Sequence, residues 1–442
     1  MTATRETGPF RYAGHEFDAE LGTLTCHYEL GERSFIERFE LGQGDWASPS
    51  AAEAARLVYL LAGVSYYKTG APPVIEIDVE VRPGELALVR DFYVKGLGEF
   101  AYRNRIDLSH LEFAANGRDI PPARFEPVGG RPLVPFGGGI DSIVSVEVVR
   151  RTHPDASLFV VSPPTAPFAA IEQAAAVAGL PILRVVRHLD PQLFEPPEDT
   201  GFLQGHVPVT GVITALAVLA ATGHGYDAVV MSNERSASSG NLVVDGEVVN
   251  HQYSKSREFE AAFAGIVAGA LGDRLRVFSL LRPYTEVWVA DRLARLSDYH
   301  HAFHSCNRAF TIDPSRRLET WCGECDKCCF IDLVLAPFIP RVELESIFDG
   351  REPLSRLDLY ERFAVLVGLS PDPKPFECVG EVGECRTAAA LAAERGDRQD
   401  DELLQRLAGK LPPVSPREVA ALLAPHDPHD VPDDFATEDL LV

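Results

Sequence analysis

A glycine-rich segment carries the first chemical signal in the sequence. Residues 136–142 read FGGGIDS and stand between an apolar run that predicts a strand and another that predicts a helix. Three glycines let the backbone turn tightly and approach an anion, while the free N–H groups at the start of the helix donate hydrogen bonds. We therefore expect a phosphate to bind here, although a glycine-rich turn in a fold without a nucleotide is the plainer alternative. The expected loop residues are Gly137, Gly138, Gly139, Ile140, Asp141 and Ser142.

This segment matches neither of the two commonest phosphate loops. A Walker loop needs a lysine directly after its last glycine, whereas the first lysine after this loop is Lys255, and the glycine spacing does not fit a dinucleotide fingerprint. The segment instead resembles the SGGxDS pyrophosphate loop of the ATP-pyrophosphatase, or PP-loop, superfamily, with Gly137 in place of the first serine. The resemblance implies that the loop amides and Ser142 hold the pyrophosphate of ATP, and that Asp141 reaches Mg²⁺ or orients the loop. Ser162, at the end of the next predicted strand, is a further expected contact of the nucleotide.

A cluster of cysteines forms the second signal. Five of the eight cysteines lie within residues 306–329, and residues 321–329 read WCGECDKCC, with two overlapping C-x-x-C steps. Four thiolates are the usual ligands of a structural zinc ion, and such a closed site would tie the C-terminal helices to the preceding domain. A redox pair of cysteines and an iron–sulfur cluster are the alternatives. The expected ligands are Cys306, Cys322, Cys325 and Cys328, with Cys329 in the core.

Two polar segments are candidates for a substrate site. Residues 232–241, SNERSASSGN, follow a predicted strand, and ligands of open parallel sheets bind at the carboxyl ends of strands. Residues 250–258, NHQYSKSRE, combine amide, imidazole, phenol, ammonium and guanidinium groups, a set that suits a ligand with several carboxylates or phosphates. A solvated loop and a solvent-exposed helix start are the plainer alternatives. The candidate residues are Asn233, Glu234, Arg235, Asn241, Asn250, His251, Gln252, Tyr253 and Lys255, together with Lys68 in the first part of the chain.

The elements that must position these residues belong to an α/β fold. From about residue 130, short β-rich apolar runs alternate with helical ones, which is typical of a doubly wound parallel sheet. The predicted strands are 132–136, 157–162, 181–187, 227–231 and 275–280. The predicted helices are 142–151, 168–178, 209–221, 258–270 and 285–295.

The segments on either side have a different character. Residues 1–125 predict an α+β lobe with a hairpin over 23–30 and 34–41, a helix over 51–62 and a half-buried strand over 74–82. Residues 126–300 form the nucleotide-binding domain, and residues 301–424 contain the cysteine segment followed by helices over 353–367, 386–394, 401–410 and 416–423. Residues 425–442 are an acidic tail that we expect to have little structure of its own.

Composition and charge exclude some classes of function. The chain has 41 Lys and Arg against 65 Asp and Glu, a net charge of −24, which argues against a nucleic acid as partner because phosphate backbones require clustered basic side chains. No run of about 18 apolar residues occurs, and the first ten residues lack the pattern of a secretory signal. We therefore expect a soluble, cytoplasmic protein that does not bind a membrane.

Taken in chain order, the motifs resemble one family. FGGGIDS, SNERSASSGN, NHQYSKS and WCGECDKCCF, preceded by YYK and GLGEF, are similar to the MurL family over nearly the whole chain. The resemblance implies an ATP- and Mg²⁺-dependent epimerase of peptidoglycan precursor synthesis, and hence a role in cell-wall biogenesis and cell shape. Such an enzyme inverts the terminal L-Glu of UDP-MurNAc-L-Ala-L-Glu to D-Glu through an acyl-adenylate, with release of AMP and pyrophosphate.

This chemistry needs a base, and the sequence leaves its identity open. An α-proton next to an ionised carboxylate is hard to remove, whereas an adenylate is neutral and withdraws electrons. Asp141, His251 and Lys255 are the candidate catalytic residues, with His251 the first choice of base because an unperturbed imidazole titrates near neutral pH. Tyr253 and Glu234 are further candidates for the base. The alternative functions are another adenylating PP-loop enzyme, such as a deazaguanine nitrile synthase-like or amide-forming enzyme, and an inactive nucleotide-binding scaffold.

Overall fold

A single mixed sheet of ten strands runs through the protein. The structure is a computed structural model that describes residues 8–195, 201–244, 246–311 and 313–436. The sheet has the order β12-β9-β6-β7-β8-β3-β2-β1-β4-β5, and β10 pairs with β11 in a separate hairpin. The strands are β1 Phe10–Asp18, β2 Thr23–Leu30, β3 Arg33–Glu40, β4 Val74–Val81, β5 Glu112–Gly117, β6 Pro132–Pro135, β7 Ser157–Ser162, β8 Ile182–His188, β9 Ala228–Met231, β10 Leu242–Val244, β11 Glu247–Val249 and β12 Arg276–Ser279.

Helices cover both faces of the parallel part of this sheet, whereas the N-terminal strands are exposed on one face. The α-helices of the described residues are α1 Pro49–Ala62, α2 Val64–Tyr67, α3 Pro83–Val94, α4 Gly98–Asn104, α5 Ile140–Thr152, α6 Ala169–Ala178, α7 Val209–His224, α8 Arg257–Leu271, α9 Glu286–Ala294, α10 Asp326–Leu335, α11 Arg341–Ile347, α12 Tyr360–Leu366, α13 Val382–Ala393, α14 Glu402–Ala408 and α15 Pro416–Leu422. None of them is both long and apolar enough to cross a membrane.

The five strands at one end of the sheet are parallel and doubly wound. β6 is the first of them in the chain but lies in the middle; β7 and β8 follow on one side of it, and β9 and β12 on the other. The connections therefore reverse direction between β6 and β9, and this point is where open α/β sheets form a ligand crevice. The predicted α/β class is confirmed, and each predicted strand of this region ends within one residue of the observed one.

Alternate residues of these strands enter two different cores. Leu133 of β6 and Val229 of β9 pack beneath α7 and α8, together with the N-terminal strands and helices. Their neighbours Val134 and Val230 pack beneath α5, α6 and α9, together with the C-terminal helices. Since successive side chains of a strand point to opposite faces, a strand covered on both faces is apolar throughout.

The N-terminal strands extend this sheet instead of forming one of their own. β3 pairs antiparallel with β8, and Arg38 lies opposite His188. At this seam Glu37 is fully buried, and its carboxylate accepts a hydrogen bond of 2.5 Å from the guanidinium of Arg187. The sequence shows the hairpin but not its partner, because the pairing joins segments about 150 residues apart.

Two C-terminal features differ from the sequence-based expectation. The predicted helix over 353–367 is interrupted: two short 3₁₀ turns, Pro353–Ser355 and Leu357–Leu359, precede α12. The tail is packed as far as residue 436, because Phe435 is buried and stacks on His153 with a centroid distance of 4.0 Å. Residues 425–436 have one short 3₁₀ turn, Asp433–Phe435, and are otherwise irregular, as expected, but they pack against the rest of the fold; residues 437–442 lie outside the described residues.

Candidate active site

A cavity of about 380 Å³ opens at the crevice between β6 and β9. The glycine loop after β6 forms one wall, and Asn233, which follows β9, contributes to another. Lys255 and Lys327 enter from two further segments, together with Cys378 from the loop before α13. The topology thus brings residues from five segments of the chain to one place.

The glycine loop requires glycine for steric reasons. Gly138 has a φ of +71°, and a Cβ on it would lie 2.5 Å from the carbonyl oxygen of Ala170. Gly139 caps α5, and the hydroxyl of Ser142 donates to its carbonyl oxygen at 3.0 Å. Of the expected loop residues, Ile140 instead belongs to the core and is 1% exposed. The loop therefore presents the backbone N–H groups of the first turn of α5 to the cavity.

Asp141 supplies a carboxylate to the floor of the cavity. Its Oδ1 is buried without a hydrogen-bond partner, and so is Oε2 of Glu286 at the start of α9. Burial raises the pKa of Asp141 to about 6, with Glu234 adding to the effect and Lys327 opposing it.

Lysine side chains face this carboxylate across the cavity. Lys255 lies at the end of a short 3₁₀ turn before α8, and its Nζ is 3.3 Å from the sulfur of Cys378. Burial alone would lower the pKa of Lys255, but Cys378 and Asp141 raise it above its ordinary value. Lys327, in the first turn of α10, donates to the backbone carbonyl of Cys378. The ammonium groups of Lys255 and Lys327 are therefore held in the cavity of the glycine loop, where a negatively charged ligand would bind.

His251 does not line the cavity itself, but it lies beside Cys378, which does. Its Nδ1 lies 2.5 Å from a carboxylate oxygen of Glu99 in α4, and the ring also interacts electrostatically with the thiol of Cys378. Burial alone would lower the pKa of His251, but these two partners raise it to about 9. The ring of His206 packs against it with a centroid distance of 4.1 Å, and burial lowers the pKa of His206 to about 3. His251 is therefore charged at neutral pH, and His206 is neutral.

Cys378 is one of the residues of this site that the sequence did not reveal, as are Lys327 and Glu286. Burial alone would raise the pKa of Cys378, but Lys255, His251 and Lys327 lower it to about 5. It stands alone in an irregular loop, and no motif surrounds it. Only the fold shows that this loop is held at the cavity, because Asn307 donates to Glu377 at 2.6 Å.

The other predicted substrate residues hold the loops around the cavity. Glu234 accepts from the hydroxyl of Ser236 and the amide of Ala237, at 2.7 and 2.9 Å. Asn241 donates to the carbonyl of Pro375 and accepts from the amide of His251, at 2.7 and 2.8 Å.

Three more of these residues contact neighbouring segments. Asn250 donates to the carbonyl of Ala237 and accepts from the amide of Gln252, which is itself buried. The buried ring of Tyr253 packs near Phe259.

Three predicted residues lie away from the cavity lining. The hydroxyl of Ser162 accepts from Arg184 at 2.5 Å. Lys68 donates to the carbonyl of Gly205 at 2.8 Å, and burial lowers its pKa to about 8. Arg235 is exposed and lines a second cavity, of about 320 Å³, together with Arg257 and Arg282.

The four predicted cysteine ligands converge in the segments that carry Asn307 and Lys327 of the cavity lining. The sulfurs of Cys306, Cys322, Cys325 and Cys328 all lie within 4.8 Å of one another. The arrangement could hold a metal ion, and Cys329 is buried in the core as expected. The cluster fixes the start of α10, which carries Lys327, and the segment before Asn307.

Comparison with known proteins gives matches along the whole chain. Residues 1–280 match the family model described as the MurL N-terminal domain, and residues 302–421 match that of the MurL C-terminal domain. A relative from Xanthomonas oryzae pv. oryzae is 38% identical over 434 residues, which cover 96% of this chain and 95% of the relative. Relatives from Salinispora tropica and Micromonospora sp. are 36% and 35% identical, and each alignment covers 98% of this chain and at least 95% of the relative. All three are named UDP-N-acetyl-alpha-D-muramoyl-L-alanyl-L-glutamate epimerase.

Proposed function

The chain belongs to the MurL family and is an isomerase, and we propose that it inverts the terminal L-Glu of UDP-MurNAc-L-Ala-L-Glu to D-Glu. The names of three relatives, each similar over nearly its whole length, support this substrate. The product is a precursor of peptidoglycan, so the protein would act in cell-wall biogenesis and thereby in cell shape. Because the substrate is a UDP-linked precursor, we place the reaction in the cytoplasm.

We further propose that ATP activates the glutamate as an acyl-adenylate. The observation that carries this proposal is the shared cavity of the glycine loop, Asp141 and the two lysines. Loop amides at the start of α5 would hold the pyrophosphate in the manner of a PP-loop, and Lys255 and Lys327 would compensate the negative charge of phosphate and carboxylate. Once the carboxylate is converted into the acyl-adenylate, a mixed anhydride, removal of the α-proton no longer builds a second negative charge on the glutamyl group, and AMP leaves when water cleaves the anhydride.

Two metal ions fit residues of this chain. Asp141 and Glu286 each have a buried carboxylate oxygen without a hydrogen-bond partner, and such oxygens are suitable ligands for Mg²⁺. Bound there, Mg²⁺ would neutralise phosphate charge. The four clustered cysteine sulfurs fit a structural zinc ion with no open position, so this site would order the cavity wall without taking part in the reaction.

We propose that the second cavity binds the diphosphate of the substrate; Glu381 and Asp427 also line it, and Arg257 is paired with Asp430 at 3.4 Å. Arg235 and Arg257 supply guanidinium groups that can bind phosphate oxygens in a bidentate manner, and His426 lies beside them. The guanidinium of Arg282 is already used, since it donates to Glu260 and to two backbone carbonyls.

The proposal is tested by incubating the metal-loaded protein with ATP, Mg²⁺ and UDP-MurNAc-L-Ala-L-Glu in D₂O. We expect AMP formation together with D-Glu that carries one deuterium at the α-carbon. UDP-MurNAc-L-Ala, which lacks the glutamate, is the control and should give no AMP. AMP formation with unlabelled L-Glu would contradict epimerisation and favour an amide-forming ligase, whereas epimerisation without ATP would contradict the adenylate.

A further inference from the structure

Two side chains of the segment 250–258 approach the sulfur atom of Cys378. Cys378 lines the cavity of the glycine loop, Lys255 lies 3.3 Å from its sulfur, and the ring of His251 interacts with the sulfur electrostatically. His251 is oriented in turn by Glu99 at 2.5 Å, from the N-terminal part of the chain. A thiol beside an imidazole activates cysteines in enzymes when a carboxylate orients the imidazole.

We propose that the sulfur of Cys378 is the base that removes the α-proton of the activated glutamyl residue, and that His251 and Glu99 position it. This assignment rests on the proposed function, since it presupposes the adenylated substrate. The sequence favours His251 as the base, whereas the charged groups around Cys378 and His251 favour Cys378.

The charges around Cys378 favour the thiolate. Lys255 and His251, from one segment, and Lys327, from the start of α10, face the sulfur, while the carboxyl groups of Asp141 and Glu377 are acidic groups near it. Cys378 is therefore deprotonated at neutral pH, and His251, between a thiolate and a carboxylate, is protonated. A protonated imidazole has no free lone pair and cannot accept the α-proton, whereas the thiolate can.

The step is balanced with water as the only co-reactant. The Cα–H bond breaks, an S–H bond forms on Cys378, and the electron pair of the former bond enters the enolate of the activated carboxyl group. Water then delivers a proton to the opposite face of Cα, and the resulting hydroxide takes the proton from the thiol. The thiolate is restored, and the adenylate of D-Glu remains to be hydrolysed.

Two partial reactions separate this role from adenylation. Substrate-dependent exchange of pyrophosphate into ATP measures formation of the adenylate, and exchange of the α-hydrogen in D₂O measures proton removal. Cys378→Ala and Cys378→Ser should lose α-hydrogen exchange and epimerisation by about 10²–10⁴-fold, the usual contribution of a general base. Pyrophosphate exchange should fall by less than about 10-fold, because the glycine loop and both lysines remain.

The matched control is Cys385→Ala. Cys385 is a buried cysteine in α13 that does not line the cavity, so its replacement should leave both exchange rates close to those of the wild type. Circular dichroism and zinc content show whether each variant is folded and metal-loaded.

Several outcomes would overturn the assignment. Cys378 variants that epimerise within about threefold of the wild-type rate would exclude the sulfur as base. Loss of both exchange reactions in a folded variant would assign Cys378 to adenylation. A thioester between wild-type Cys378 and the glutamyl group, detected by intact mass and cleaved by hydroxylamine, would show a nucleophile instead. Wild-type protein without either exchange reaction would overturn the proposed function itself and this assignment with it.

Discussion

The side chains of Cys378 and His251 carry opposite charges at neutral pH because each stabilises the charged form of the other. The pKa of Cys378 is lowered to about 5 by Lys255, His251 and Lys327, against the effect of burial. The pKa of His251 is raised to about 9 by Cys378 and Glu99, again against burial. Groups in one site whose pKa values are moved apart in this way are suited to different roles in proton transfer.

Epimerisation should therefore show a bell-shaped dependence on pH. The thiolate exists above the folded pKa of Cys378, so kcat/KM should fall as the pH drops through about 5. The imidazolium exists below the folded pKa of His251, so kcat/KM should fall again as the pH rises through about 9. Because the two groups interact, the two limbs report the pair as a unit. Initial rates of D-Glu formation across this range measure both limbs, and a flat profile would contradict the ion pair.

Replacement of Glu99 tests how the imidazolium is maintained. Glu99→Gln removes the carboxylate that accepts from His251, so the pKa of His251 should fall and the alkaline limb should move to lower pH by about one unit. Glu258→Gln is the control, since Glu258 pairs with the exposed Lys95 and should leave both limbs in place. An alkaline limb that stays unchanged in Glu99→Gln would contradict the positioning role of Glu99.

Steric demand at one glycine gives a prediction for the nucleotide site. Gly138→Ala places a Cβ 2.5 Å from a backbone oxygen and strains a left-handed conformation, which should cost about 1–3 kcal/mol and displace the loop. Pyrophosphate exchange should be largely lost, with a smaller effect on the melting temperature. Gly137→Ala is the comparison, because a Cβ there meets nothing within 4 Å. An equal loss in both variants would mean that any side chain in the loop is harmful, independent of the strain at Gly138.

At the scale of elements, the two segments that carry the cysteine cluster also form part of the cavity wall. Cys325 caps the start of α10, where Lys327 lies, and Cys306 directly precedes Asn307, which holds Glu377. Zinc bound to the four sulfurs would fix two walls of the cavity at once. Structural zinc sites contribute on the order of 10 kcal/mol to folding.

Removal of this metal should therefore affect both stability and adenylation. We expect purified protein to contain zinc, and chelation or Cys325→Ser to lower the melting temperature and abolish pyrophosphate exchange together. Elemental analysis and thermal unfolding, with zinc added back to the chelated protein, measure the effect. Iron with acid-labile sulfide in place of zinc would contradict the assignment of the metal, and full exchange activity in metal-free protein would contradict the link to the cavity.

The same scale shows what the sequence could and could not predict. The ends of the five parallel strands are predicted within one residue, because their apolar runs and their turns are local signals. The cysteine cluster was predicted from spacing, and the four sulfurs do converge. The pairing of β3 with β8 and the approach of Cys378 to Lys255 were not predicted, because both join residues more than 100 positions apart without a local pattern. The tail is held by Phe435 and by ion pairs such as that of Asp434 with Arg276, contacts that its composition, which favours disorder, does not predict.

At the scale of the whole molecule, an acidic protein must bind an acidic substrate. The net charge is −24, yet the lysines of the first cavity and the arginines of the second concentrate positive charge where phosphates and carboxylates would bind. Local clusters of this kind can attract an anion into a cleft although the remaining surface repels it. The proposed division of the substrate between the two cavities follows: the glutamate lies at the glycine loop and the diphosphate at the arginines.

This division predicts separable kinetic effects. Arg257→Ala should raise KM for the UDP-linked substrate by about 10-fold or more, because a charge-assisted hydrogen bond contributes about 1.5–3 kcal/mol, while KM for ATP and kcat stay nearly constant. Arg235→Ala should act in the same direction, and added salt should weaken the effect of both residues because screening reduces the attraction. Arg274→Ala is the control, since Arg274 is an exposed arginine outside both cavities whose nearest acidic partner, Glu126, is 3.9 Å away. A rise in KM for ATP instead would place the nucleotide at the arginines, and the substrate would then have to bind elsewhere.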